Sequence, residues 1–357
     1  MDIQFRQPST DEEFDRYVLQ LSNYSFLLSS AKFNYSKDSG MDIFRYLVFD
    51  NEKFLGVVIG LIDGVKGFGK YMECKHNPIL IDGLGDNERK GIYRSIFNKL
   101  IQIAREKNCF FVRISPLILD DEIYKGVCED FKCSYAPIHP IDALISQYFD
   151  ISKSEEDLRR DMSSSTRNNI NKLLKNPDIS IKIIRDKSAF DVFKDFYTQT
   201  KTYKGYRGKS EDSLLKEFEY QMKQNMLYFV VGYYKNKPIA IWQNTKFGKY
   251  MHVYQAGSNI DFRQKNIRIT YLLFWETVKL CKSLGIEILD LFGGMTPEGY
   301  KGKKNPWQGV NDFKTSLGGK KITYIHSMDI PVEMLKYTIF HPYAKVRARI
   351  RGHTVNW

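Results

Sequence analysis

The side chains of this 357-residue chain that could do chemistry are cations, glycines and aromatics rather than a nucleophile with its base. Its six histidines (His76, His139, His252, His326, His341, His353) show no HExxH or similar metal spacing, and no Ser-His-Asp or Cys-His set stands out. Lys314 is the first candidate. It follows Phe313 and stands shortly before Gly318–Gly319. It lies in the stretch 299–357, where eleven lysines and arginines face only Asp312, Asp329 and Glu333. A lysine is a compact point charge that suits a phosphate or a developing oxyanion; the bland alternative is a solvated surface lysine. Gly293–Gly294 and Gly318–Gly319 permit positive φ or close backbone approach, or are ordinary turns. In the strand-like run 250–256, alternation puts His252 and Tyr254 on one face. The stretch Arg167–Lys175 (RNNINKLLK) reads as a basic helix that either touches RNA or connects domains.

The elements that must position these residues follow from periodicity. Residues 11–21 read as a helix with Thr10 as N-cap and Glu13 at the capping-box position. The runs 43–49 and 54–62 read as a hairpin, 88–107 as a long helix, and 110–114 as a strand ended at Ser115–Pro116. The same order returns later: helices at 188–200 and 211–226, a hairpin of 227–234 with 239–247, a strand at 250–256, a helix at 266–284 and a strand at 286–291. The segment 100–116 parallels 277–293 at an offset of 177 residues. This predicts an internal repeat of one α/β domain, with mixed sheets because the hairpins demand antiparallel pairing. Domain 1 is expected over 1–150 and domain 2 over 151–330, with 151–176 a helical connection and 331–357 packing on domain 1.

Composition narrows the function. The formal charge of +12 suits a polyanion such as RNA, or an anionic membrane surface, against the plain reading of a solvated basic face. The tail 341–357, with Lys345, Arg347, Arg349 and Arg351 among Tyr343, Val346 and Ile350, suits anionic lipid, RNA phosphate or solvent alike. Five cysteines without a CxxC read as reduced structural thiols. No signal-peptide region is read in Met1–Thr10, and no run approaches the roughly 20 apolar residues of a membrane helix. A cytoplasmic protein is expected, with any membrane contact peripheral, at the inner face.

Asp290, Phe292, Gly293 and Gly294 form an aspartate–aromatic–Gly-Gly pattern, and Gly309, Val310, Phe313, Lys314, Leu317, Gly318 and Gly319 a later Gly-Val-x-x-Phe-Lys-x-x-Leu-Gly-Gly. With VRISP at 112–116, STRNNINKLLKN at 165–176, VYQAGS at 253–258 and SFLLSSAKF at 25–33, these segments resemble the FemABX family, whose members build peptidoglycan interpeptide bridges from aminoacyl-tRNA with two GNAT-like domains in one chain. The resemblance implies tandem GNAT-like domains flanking a cleft. The coiled-coil arm of some members is not expected, because the helix at 211–226 runs straight into a strand. It implies that Lys314 contacts the tRNA end or stabilises charge, and that Phe313 stacks on the terminal adenosine or packs in the core. It implies that Lys32 and Arg207, near Tyr203 and Tyr206, bind phosphates of a UDP-linked or lipid-linked muropeptide, and that Tyr254, Gly293 and Gly294 line the substrate site. Aminoacyl-tRNA is then the co-substrate, with no cofactor and no metal.

Two rival readings remain. An acyl-CoA-dependent GNAT enzyme normally offers a glycine-rich turn whose amides cradle pyrophosphate; the corresponding stretches 86–94 (DNERKGIYR) and 262–270 (FRQKNIRIT) have no such glycine pair. The other rival is a non-catalytic RNA-binding or cell-envelope accessory protein on a degenerate tandem GNAT scaffold.

Overall fold

A computed structural model describes residues 1–137, 144–204, 208–259, 262, 267–294 and 308–350. Tyr206 and Arg207 lie outside the described residues. The chain forms two compact units, one built on Met1–Ile145 and the segment from Thr323 onward, the other on Ser146–Phe292 with Gly309–Ile322.

In the first unit β1 (Ile3–Arg6) leads through α1 (Asp11–Val18) and α2 (Ser30–Asp38) into an antiparallel meander of β2 (Asp42–Asp50), β3 (Lys53–Val65) and β4 (Gly69–His76). A two-residue β5 (Ile79–Leu80) pairs with β3, α3 (Asp86–Glu106) crosses the sheet, and β6 (Cys109–Pro116) runs parallel to β4. Then come α4 (Glu122–Asp130) and β7 (Ser134–Tyr135). Thr10 caps α1, its hydroxyl accepting from the Glu13 N–H at 3.1 Å, while the Glu13 carboxylate reaches the N–H of Ser9 rather than that of Thr10. The β2–β3 turn passes through Asn51 at φ +50, the left-handed conformation a tight hairpin requires and asparagine tolerates.

The second unit opens with β8 (Ile145–Asp150), α5 (Glu155–Arg160), α6 (Ser164–Leu174) and β9 (Ile179–Ile184). α7 (Ser188–Lys204) and α8 (Glu211–Lys223) precede the meander of β10 (Leu227–Tyr234), β11 (Lys237–Phe247) and β12 (Tyr250–Ser258). α9 (Ile269–Ser283) then returns the chain to β13 (Ile288–Asp290), parallel to β12. α10 (Gln308–Ser316) and β14 (Lys320–Thr323) complete the unit. β15 (Met328–Pro331) and α11 (Met334–Ile350) belong to the first.

The two sheets run β1-β2-β3-β4-β6-β15-β7 and β9-β10-β11-β12-β13-β8-β14. Apart from β5, which pairs with β3 in the first sheet, they correspond strand for strand, which is the tandem repeat that the 177-residue offset predicts. The expected boundaries at 150 and 330 shift for a physical reason. β8 pairs antiparallel with β13 (Ile288 opposite Asp150), so it belongs to the second sheet. β15 pairs antiparallel with β6 (Met328 opposite Ile114), so residues from 323 belong to the first. α11 lies on the first sheet, where Phe340 meets Phe110 and Phe111 with ring centroids 5.1 and 5.2 Å apart.

The stretch 151–176 is more than a connection. α9 is apolar almost all round, burying Ile269, Leu272, Leu273, Phe274, Trp275, Val278, Leu280 and Cys281. A helix of that kind needs a cover on the side away from its sheet. Leu158, Met162, Ile170 and Leu173 share its core cluster and supply that cover. Arg167, the first cation of the basic stretch, turns inward and donates to the carbonyls of Arg159, Arg160 and Met162, placing positive charge where α5 ends and its carbonyls need donors.

Gly318 and Gly319 need both the conformation and the closeness that glycine permits. Their φ angles are +83 and +77, and a Cβ on either would stand 2.6 Å from a backbone oxygen, that of Asp161 or of Tyr148. Gly318→Ala is therefore expected to cost on the order of 2 kcal/mol or more, read by chemical denaturation, because strain and clash add at one atom. A near-neutral substitution would show that the turn is not held this tightly.

Candidate active site

The parallel pairing of β12 with β13 covers Tyr250–Ile288, Met251–Leu289 and His252–Asp290, and β12 runs on to Ser258. In the first unit the equivalent pairing of β4 with β6 continues to the last residue of each strand, His76 with Pro116. The end of β13 is therefore where the second sheet opens, and charged groups converge there.

Asp290 is buried on β13. Its Oδ1 accepts from the Ser146 hydroxyl and, at 2.8 Å, from the N–H of Phe292; its Oδ2 lies 3.8 Å from Nε2 of buried His252. Burial pushes the carboxyl up to about 6, against the two hydrogen bonds and the attraction of Lys314. The next turn is strained: Phe292 has φ +48 and Gly293 φ +82. A left-handed phenylalanine persists only where its surroundings over-determine it. Here its N–H is held by Asp290 and its carbonyl by Lys314.

Lys314 reaches this turn from α10. Its ammonium donates to the carbonyls of Leu291 at 2.8 Å and Phe292 at 3.2 Å. Burial pushes it down to about 8, with Asp290 working the other way. At neutral pH the pair is a carboxylate and an ammonium, each near enough to its titration to respond to a reactant.

Tyr254, two residues beyond His252 on β12, packs edge-on against the Phe292 ring at 5.9 Å. Its hydroxyl lies 3.4 Å from the ammonium of Lys209, which is ion-paired with the buried carboxylate of Glu217. Phe313 sits elsewhere. Its ring packs on the core of the second unit, 5.2 Å from Tyr271 and 6.2 Å from Trp242, wedging α10 against the sheet. Lys32 lies on α2 in the first unit, its ammonium 4.7 Å above the ring of Tyr35. Gly294 is buried directly after the strained turn.

Ser146, Lys209 and Glu217 escape sequence reading. Ser146 and Asp290 are 144 residues apart, and nothing local marks them as partners. For this wall the sequence offers the alternation that puts His252 and Tyr254 on one face and the family resemblance at 253–258. In the first unit Ser25 Oγ and His76 Nδ1 meet at 2.7 Å, but both side chains are buried, out of a reactant's reach.

The fold and the sequence match define the class. The family model of the acetyltransferase (GNAT) domain matches residues 160–302, and the strand-for-strand repeat makes the chain a tandem GNAT-fold protein. The fold is similar to that in the crystal structure of FemX, at 12% identity with a TM-score of 0.78, over 96% of this chain and 100% of that one. It is also similar to a tandem GNAT protein from the clavulanic acid biosynthesis pathway (9% identity, TM-score 0.58, 93% and 99% covered). A third likeness is to L-PGS from Bacillus licheniformis (9%, TM-score 0.54, 97% and 99% covered). No curated protein matches significantly.

Proposed function

We propose that this chain is an aminoacyltransferase that moves an amino acid from aminoacyl-tRNA to the amine of a peptidoglycan-precursor stem peptide. The observation that carries the reading is the Lys314 ammonium fixed on the carbonyls of Leu291 and Phe292, beside Asp290, where β13 ends. The FemABX resemblance gives this lysine contact with the tRNA end or stabilisation of charge in the reaction, which supports the reading.

The chemistry needs little beyond what this site offers. The ester of an aminoacyl-tRNA is already activated. The acceptor nitrogen attacks its carbonyl carbon, the new C–N bond forms as the C–O bond to the ribose breaks, and the proton lost by the amine goes to the departing hydroxyl. Between these events the carbonyl oxygen carries negative charge. A positive charge held in place beforehand stabilises that oxygen without reorganising during the reaction. Asp290 keeps Lys314 charged in spite of burial, and the strained Phe292–Gly293 turn holds the carbonyls that aim it. Lys209 with Tyr254 supplies a second cation midway along β12, suited to a phosphate of either reactant.

The test is incubation of the chain with radiolabelled aminoacyl-tRNA and a muropeptide precursor. Label transferred to the muropeptide supports the proposal. Retention of tRNA without transfer favours a binding protein, and label moving instead from acetyl-CoA favours an acyl-CoA enzyme. Asp290→Asn provides an internal check. It removes the carboxylate that holds Lys314 up, so the alkaline limb of the rate profile should move below about 8. An unmoved limb would take Lys314 out of the titration.

A further inference from the structure

The last helix of the first unit carries an outward apolar face that nothing in the transfer chemistry uses. Leu335 and Ile350 are each 81% exposed, Ile339 63% and Val346 54%, with Tyr343 between them. At 3.6 residues per turn these five side chains fall within an arc of about 80°. The opposite side of α11 is the one that packs, through Tyr337, Phe340 and Ala348. The exposed stripe is therefore a second apolar face on a helix that has already buried its first.

The charges beside the stripe say what would cover it. Residues 334–350 contain no aspartate or glutamate. At the same angular spacing Lys336 and Arg347 fall along one margin of the stripe and Lys345 and Arg349 along the other, so cations flank it on both sides. Lys336 leans partly on Glu333 at 3.7 Å, while Arg347 and Arg349 stand exposed. An apolar band between two basic margins matches the boundary of an anionic bilayer, where acyl chains take the leucine and isoleucine side chains and headgroup phosphates take the cations. Nucleic acid would reward the cations and leave the stripe in water. Among the described residues no helix is long and apolar enough to cross a membrane, so contact of this kind lies along the surface.

We infer that α11 docks the protein on an anionic lipid surface through Leu335, Ile339, Tyr343, Val346 and Ile350, with Lys336, Lys345, Arg347 and Arg349 on headgroup phosphates. The inference does not depend on which acyl group is transferred, because α11 contributes no residue to the candidate site.

The test is sedimentation of the full chain with vesicles of phosphatidylglycerol and phosphatidylcholine in equal parts, and with vesicles of phosphatidylcholine alone. Binding to the first and not the second is expected, weakening as salt is raised. Leu335→Glu with Ile350→Glu should lower the partition coefficient at least tenfold. Arg347→Gln and Arg349→Gln should each lower it about fivefold. All four positions are exposed, so an unchanged circular dichroism spectrum separates lost docking from lost folding. Equal binding to both vesicles, or binding indifferent to Leu335→Glu with Ile350→Glu, overturns the inference. So does a dimer in sedimentation velocity that the same pair of substitutions dissolves, since the stripe would then belong to a second copy. Absence of vesicle binding overturns it as well, and tRNA retention weakened by Arg347→Gln or Arg349→Gln would then assign the cations to nucleic acid.

Discussion

Lys314→Ala should lower the turnover of aminoacyl transfer by about 10²–10³-fold, the usual loss when one preorganised electrostatic contact to an oxyanion is removed. The Michaelis constant for the muropeptide should change little, because the proposed contact forms as charge develops and not as the precursor binds. The pH dependence makes the test sharper. Burial pushes Lys314 down to about 8 and Asp290 up to about 6. Above about 8 the ammonium loses its proton, while below about 6 protonation of the carboxyl leaves the lysine charged, so the wild-type rate should fall on an alkaline limb near 8. Lys314→Arg keeps its charge far into the alkaline range, so whatever activity it retains should lack the alkaline limb. An alanine variant with wild-type turnover would remove Lys314 from the mechanism.

Asp329→Ala should have the largest effect on stability. Asp329 is fully buried on β15 and receives two hydrogen bonds from the Arg113 guanidinium on β6, at 2.7 and 2.8 Å, and one from the Tyr337 hydroxyl of α11 at 3.1 Å. Burial works against the charge of Arg113, and the facing carboxylate more than restores it, so the guanidinium stays protonated. Removing the carboxylate leaves a buried cation without its partner. The expected cost is about 3–5 kcal/mol, a fall in melting temperature on the order of 10 °C for a unit of this size. The three groups come from β6, β15 and α11, so the loss should appear in the transition of the first unit. Asp329→Asn keeps the shape and part of the hydrogen bonding and should lie between wild type and alanine. A melting temperature unmoved in both variants would mean that Arg113 finds water or another acceptor.

The sequence by itself determines the local elements of this protein. Apolar periodicity marks α3 and α9, alternation and turn residues mark the β2–β3 and β10–β11 hairpins, and the recurrence of this order predicts two copies of one domain. The glycine pair at 318–319 announces a special turn because few other residues tolerate its φ. The edge strands β1 and β9 are not legible in this way. They are short, four and six residues, and an alternation as brief as Ile3-Gln4-Phe5-Arg6 or Ile179-Ser180-Ile181-Lys182 does not mark a strand by itself.

Partners far apart in the chain were decided by the tertiary structure alone. Arg113 finds Asp329 across 216 residues, and Ser146 finds Asp290 across 144. Each sheet takes the strand beside its parallel pair, β15 or β8, from a distant part of the chain. Phe313 and Lys314 are neighbours in one motif, yet the ring joins the core while the ammonium meets the end of β13. The physical reason is that periodicity records which face of an element is buried but not what it is buried against. That choice comes from many weak contacts summed over the whole fold. The desolvation that brings Lys314 into the neutral range exists only once those contacts have formed.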